Sequence, residues 1–140
     1  MSNILNIFIN NCIEEINIAS NQWDDFFNNH NLQLTDILQL NLILDELLSN
    51  IIRHGFKDNL THKIEINFAI TNDDIFITVI DDGIEFNPIN NHNKKEIVDL
   101  DSIAAGGLGI DLILHYSDKI SYHRMDNKNF INIQKILNKN

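Results

Sequence analysis

The stretch Leu44-Asp45-Glu46-Leu47-Leu48-Ser49-Asn50-Ile51-Ile52-Arg53-His54-Gly55 carries two patterns at once. Leu40, Leu44, Leu47, Leu48 and Ile51 recur at three- and four-residue spacing, the apolar stripe of a helix buried on one side. With Thr35 as N-cap and Gly55 as stop, that helix is expected over residues 35–54. At about 100° per residue, Glu46, Asn50 and Arg53 fall within about 60° of one another, opposite much of the leucine stripe. A polar face of this kind is ordinarily solvated, so its meaning depends on what the rest of the chain brings to it.

On the N-terminal side, residues 4–9 read as a short strand. Ile13, Ile16, Trp23, Phe26 and Phe27 then recur at helical spacing, which predicts an amphipathic helix from about 11 to 29 with Cys12 and Ala19 on its buried side. On the C-terminal side the period changes to two: Ile64, Ile66, Phe68 and Ile70 alternate with polar residues. The turn Thr71-Asn72-Asp73-Asp74 leads into a strand over 75–80, forming a hairpin with one packed face. Residues 81–105 hold no sustained period, and a stretch of that length in a compact domain marks a functional lid or a disordered segment. A helix over 108–116 follows, then strands over 119–125 and 130–137 joined through Asp126-Asn127-Lys128. The order predicts an α+β fold, with helices on one face of a mostly antiparallel sheet.

The 140 residues suffice for one buried core, so a single domain over 1–140 is expected. Ten basic against twenty acidic residues give a net charge of -10, which excludes a surface built to neutralise phosphates and hence a nucleic-acid partner. The one cysteine, Cys12, has no intramolecular partner and reads as a reduced core thiol of an intracellular protein. No apolar run approaches the roughly 18 residues of a membrane span, and Asn3, Asn6, Asn10 and Asn11 interrupt the N-terminal segment where a leader would need an apolar stretch. The expected location is cytoplasmic, with no membrane contact. His30, His54, His62, His92, His115 and His123 form no pair at metal-ligand spacing on a helix, which argues against a metalloenzyme.

Two further pieces stand beside the Glu46–Asn50 face. Asp81-Asp82-Gly83 ends an apolar strand, where a carboxylate can point into the space between sheet and helices. Gly106-Gly107-Leu108-Gly109 precedes a helix and offers free N–H groups at a positive dipole end suited to phosphate. Either piece alone serves ordinary turns. In order and spacing, the three make a linear series.

In that series the chain resembles the histidine-kinase-like (GHKL) ATP-binding superfamily and, within it, the anti-sigma-factor serine/threonine kinases of the RsbW type, from about residue 35 to its end. Glu46 to Asn50 is similar to the N box, Asp81-Asp82-Gly83-Ile84-Glu85-Phe86-Asn87-Pro88 to the first glycine box, and Gly106-Gly107-Leu108-Gly109-Ile110 to the second. The resemblance implies the two-layer α/β sandwich of the GHKL (Bergerat) fold, binding ATP with Mg²⁺. Asn50 would give its side-chain oxygen to Mg²⁺ on the ATP phosphates, and Glu46 would be general base towards the attacking hydroxyl. Asp81 would accept from the adenine amino group, and Gly83 would allow close approach of the base. Arg53 and His54 would lie near ribose and phosphates or brace the lid. Residues 84–109 would form that lid, with Gly106, Gly107, Leu108 and Gly109 wrapping the phosphates. Phosphoryl transfer asks for little more than a charge-neutralising metal and a placed carboxylate.

The resemblance departs at Glu85, where the first glycine box often has a second glycine, and at Asn132, matched to a threonine that supports adenine binding from the last strand. The implied partners are a sigma factor and a STAS-type anti-anti-sigma protein phosphorylated on serine. A homodimer built on residues 4–9 and the first helix is also implied. The stretch before the N box is too short for a sensor and a dimerisation domain bearing a phospho-accepting histidine, so the substrate would be another protein. The alternative is a nucleotide-gated module that sequesters a partner without phosphorylating it.

Overall fold

Alternation of apolar and polar residues builds the sheet. In β2 (Lys63–Ile70) Ile64, Ile66, Phe68 and Ile70 are buried, and in β3 (Asp74–Asp81) Ile75, Ile77, Val79 and Asp81 are buried, while the residues between them are more open. The same phase runs through β1 (Ile4–Asn10) and β5 (Lys128–Ile136), so one face of the sheet is covered. The computed structural model describes residues 2–87, 89 and 107–138. Its remaining elements are α1 (Glu14–Asn29), α2 (Leu34–His54), α3 (Gly107–Tyr116) and β4 (Lys119–Met125).

The five strands lie in the order β1-β2-β3-β5-β4, and all four pairings are antiparallel. The expected mostly antiparallel sheet is therefore antiparallel throughout these pairings. The β4–β5 hairpin turns through Asp126 and Asn127 alone, with φ of 53° and 62°, the left-handed conformation a tight two-residue hairpin needs. Lys128, expected in the turn, is already paired with Met125.

The covered face is filled by α1 and α2 with one apolar core. Trp23, Phe27, Leu40, Leu44, Leu47 and Leu48 are fully buried, and Phe68 meets Trp23 and Phe27 at ring-centroid distances of 6.3 and 5.8 Å. Two expectations at the start of α1 are corrected. Asn11 N donates to the His62 carbonyl and Cys12 N to that of Asn10, so the chain is still turning away from β1 and the helix starts at Glu14. Cys12 is accordingly exposed, its thiol donating to Glu14 Oε2 at 2.7 Å, and Ile13 is 45% exposed. Ala19 is buried as expected. The N-cap of α2 is Gln33, and Thr35 lies in the first turn.

A buried polar cluster fixes α2 and α3 against β5. Asp36, fully buried, accepts from Asn138 N and Nδ2 at 2.8 and 2.9 Å. Lys135 Nζ donates to Gln39 Oε1 at 2.6 Å and to the Tyr116 carbonyl at the end of α3 at 3.3 Å. Among the described residues no helix is long and apolar enough to cross a membrane.

Candidate active site

The polar face of α2 meets α3 at one end and the end of β3 at the other. Gly109, in the first turn of α3, is buried against Glu46: a Cβ placed there would overlap the Glu46 carboxylate at Oε2. A side chain at 109 would push the Glu46 carboxylate from its observed position. Glu46 itself is half-buried, and its charge lies beside the positive end of the α3 dipole.

One turn along α2, Asn50 is 6% exposed and its Nδ2 makes no hydrogen bond among the described residues. A buried amide of this kind needs a partner that these residues do not supply. The orphan is the N–H₂ side, which asks for an acceptor such as a phosphate oxygen; a hard cation such as Mg²⁺ would be held by the opposite, carbonyl side of the amide together with phosphate oxygens. Arg53 and His54 are exposed on the last turn of α2; the His54 ring lies 6.5 Å from that of Phe86.

At Gly55 the helix stops, and its carbonyl accepts from Ile84 N at 2.8 Å. Gly83 packs on that same carbonyl, leaving no room for a Cβ. This contact docks the turn after β3 onto the end of α2. From Glu46 to Gly55 the helix axis advances about 14 Å, so an extended ligand can reach from one end of the face to the other.

Asp81 closes β3 on the helix side and is 4% exposed. Burial pushes its carboxyl above the usual carboxylate range, opposed by hydrogen bonds from Asn129 and from the Gly83 N–H and by the charge of Arg124. Gly83 N and Asn129 Nδ2 both reach Oδ1, at 2.9 and 3.0 Å. Among the described residues no donor is directed to Oδ2, which keeps its lone pairs for a ligand.

The expectation at Asn132 is corrected. Asn132 faces away from the helices, where it bonds Thr78 Oγ1 at 3.0 Å and lines a groove of about 630 Å³ over the open face of β3, β5 and β4. The residue opposite Asp81 is Asn129, which is 2% exposed. Sequence reading missed it, together with Tyr122 and Arg124, which donate to Asn129 Oδ1 at 2.6 and 2.9 Å. Strand phase was the available signal, since Asn129 alternates with the apolar Ile131 and Ile133 whereas Asn132 falls between them.

Gly107 is the first residue of α3 and Leu108 the second. Gly106 and most of the proposed lid, residues 88 and 90–106, lie outside the described residues.

Comparison with known proteins agrees with this geometry. The family described as Histidine kinase-like ATPase domain matches residues 10–135. The serine/threonine-protein kinase BtrW of Bordetella bronchiseptica is 28% identical over 94 residues, 67% of this chain and 66% of the relative. An anti-sigma F factor of Oceanobacillus iheyensis is 22% identical over 62% of this chain and 60% of its own length. The serine-protein kinase RsbW of Bacillus licheniformis is 25% identical over 74% of this chain and 67% of its own. The chain thus spans about two thirds of the length of these relatives. Among solved structures, the RsbU and RsbW domains of a Mycobacterium tuberculosis protein superpose with a TM-score of 0.66 at 11% identity, over 99% of this chain and 34% of that one. A match over residues 10–135, on a five-stranded antiparallel sheet with helices on one face, places this chain in the histidine kinase-like ATPase domain family.

Proposed function

We propose that the protein is an ATP-dependent serine/threonine kinase of the anti-sigma-factor type, which binds a sigma factor and phosphorylates a STAS-type anti-anti-sigma partner on serine. The observation that carries this reading is Glu46: a half-buried carboxylate under the first turn of α3, one helical turn from the unpartnered amide of Asn50. The names of the relatives, two of them kinases and one an anti-sigma factor, support it.

In this reading Asp81 Oδ2 takes the adenine amino group, and Gly83 lets the base lie against the turn. Asn50 holds Mg²⁺ by its side-chain oxygen, and the α3 N-terminus at Gly107 and Gly109 faces the phosphates. ATP would supply the γ-phosphoryl group, and Mg²⁺, when bound, would supply positive charge that offsets the charge developing on it. Glu46 takes the proton from the attacking serine hydroxyl as its oxygen bonds to phosphorus and ADP leaves. Residues 84–109 act as the lid, with Arg53 and His54 at its edge, and the site works in the cytoplasm within a homodimer.

Incubating the protein with a candidate anti-anti-sigma protein and labelled ATP tests the assignment. The wild type should leave alkali-labile phosphoserine, and Glu46→Gln should lower the rate about 100-fold or more while ADP affinity stays within a few-fold. Transfer by Glu46→Gln at the wild-type rate would remove Glu46 from its role. Nucleotide-dependent capture of the partner with no transfer by the wild type would make the protein a sequestering module.

A further inference from the structure

The amide of Asn129 sits at the centre of a four-bond junction. Its Oδ1 accepts from Tyr122 Oη at 2.6 Å and Arg124 Nη1 at 2.9 Å, while its Nδ2 donates to Asp81 Oδ1 at 3.0 Å and to the Ile84 carbonyl at 2.7 Å. Arg124 Nη1 also donates to the Gly83 carbonyl at 3.2 Å. An asparagine amide has two nearly isosteric orientations, and only its partners choose between them. A guanidinium can donate but never accept, so Arg124 admits only the oxygen of Asn129 on its side. The N–H side is thereby turned towards Asp81 and the Ile84 carbonyl, two acceptors that favour the same orientation from the other side. In the reversed orientation the amide oxygen would face the carboxylate, placing acceptor against acceptor in a buried place.

We propose that Arg124, with Tyr122, fixes the orientation of Asn129 and through it keeps Asp81 a dedicated acceptor, so that these positioning residues favour a purine that presents a 6-amino group to Asp81 over one that presents a 6-oxo group. The inference rests on the nucleotide reading of the site. The geometry behind it is that of the protein alone: both internal donors to Asp81 meet on Oδ1, and Oδ2 is kept for the ligand. The 6-amino group of adenine donates to such an acceptor, whereas the 6-oxo group of guanine is repelled by it. The charged groups around Asp81 are Asp82 beside it, with His62 bound to Asp82, and Arg124 from β4.

A double-mutant cycle tests the relay, because interaction through a shared partner appears as non-additivity. The wild type, Arg124→Met, Asn129→Ala and the double variant are compared by ¹³C NMR titration of the Asp81 carboxyl and by affinity for ADP against GDP. Arg124→Met should move the Asp81 titration to higher pH and weaken ADP roughly 10- to 100-fold, with GDP little changed. In the Asn129→Ala background the same substitution should add only the smaller effect of the lost charge. An unchanged Asp81 titration in Arg124→Met, or a full additive shift in the double variant, would overturn the relay. If Arg124→Met does not fold, Tyr122→Phe takes its place in the cycle, with the same direction and a smaller shift. Absence of ADP binding by the wild type would overturn the nucleotide reading and base selection with it, while the carboxyl titration still decides whether Arg124 acts through Asn129.

Discussion

His62 uses both ring nitrogens on carboxylates: Nδ1 on Asp82 at 2.9 Å and Nε2 on Asp58 at 2.8 Å, with its ring stacked on Phe56 at 4.8 Å. Two acceptors require two donors, so this arrangement is that of the imidazolium. The bond to Asp58 is the chief cause that raises its pKa from the ordinary 6.5, with Asp82 adding to it. A group whose folded pKa lies above its unfolded value stabilises fully below the unfolded value, and that contribution fades as pH rises through the folded one. The clasp joining the 56–62 loop to the end of β3 should therefore tighten on acidification through the neutral range. The urea midpoint of the wild type should fall more steeply than that of His62→Gln between about pH 6 and 8.5. Parallel curves for the two proteins would assign His62 no such role. At this scale the sequence was readable where period alone decides: Glu46 and Asn50 lie one turn apart on α2, as the leucine spacing required. It was misread at Asn132, because burial on β5 is set by strand phase, and Ile131 and Ile133 put Asn129, not Asn132, on the covered side.

Each strand and helix owes its place to a few side chains. Phe68 on β2 is 1% exposed and meets the rings of Trp23, Phe26 and Phe27 at 6.3, 6.1 and 5.8 Å, so it joins α1 to the sheet. Phe68→Ala should cost about 3–5 kcal/mol of stability, measured by urea unfolding, with the α2 site intact in the fraction that remains folded. A loss under about 1 kcal/mol would mean that α1 is held by other contacts. The hairpins and the α2 stripe were legible because alternation and helical spacing are local. The start of α1 was not, because the hydrogen bond from Asn11 to the His62 carbonyl comes from a residue far along the chain. The turn at Asp126 and Asn127 was placed correctly but one residue too long. Its left-handed pair of residues, which permits the shorter loop, is a backbone conformation that composition only hints at.

Across the whole molecule, the site exists because α2 is gripped at both ends. Gly109 of α3 covers Glu46, and Gly55 holds the Gly83–Ile84 turn, while Lys135 ties the far ends of α2 and α3 to β5 and Asp36 ties α2 to Asn138 just beyond that strand. The order of the three boxes along the chain announced this convergence, but the contacts that produce it are backbone approaches at glycines. No linear pattern encodes those. With a net charge of -10, any anionic ligand must be drawn in by local features such as the α3 N-terminus and, in the proposed reading, a Mg²⁺ that would arrive with the nucleotide. The most direct measurement is calorimetric titration of the protein with ADP and Mg²⁺ beside Asp81→Asn. Saturable single-site binding that Asp81→Asn abolishes is the expected result; equal binding by both proteins, or none by the wild type at roughly millimolar nucleotide, would contradict a nucleotide site built on Asp81 and the α2 face.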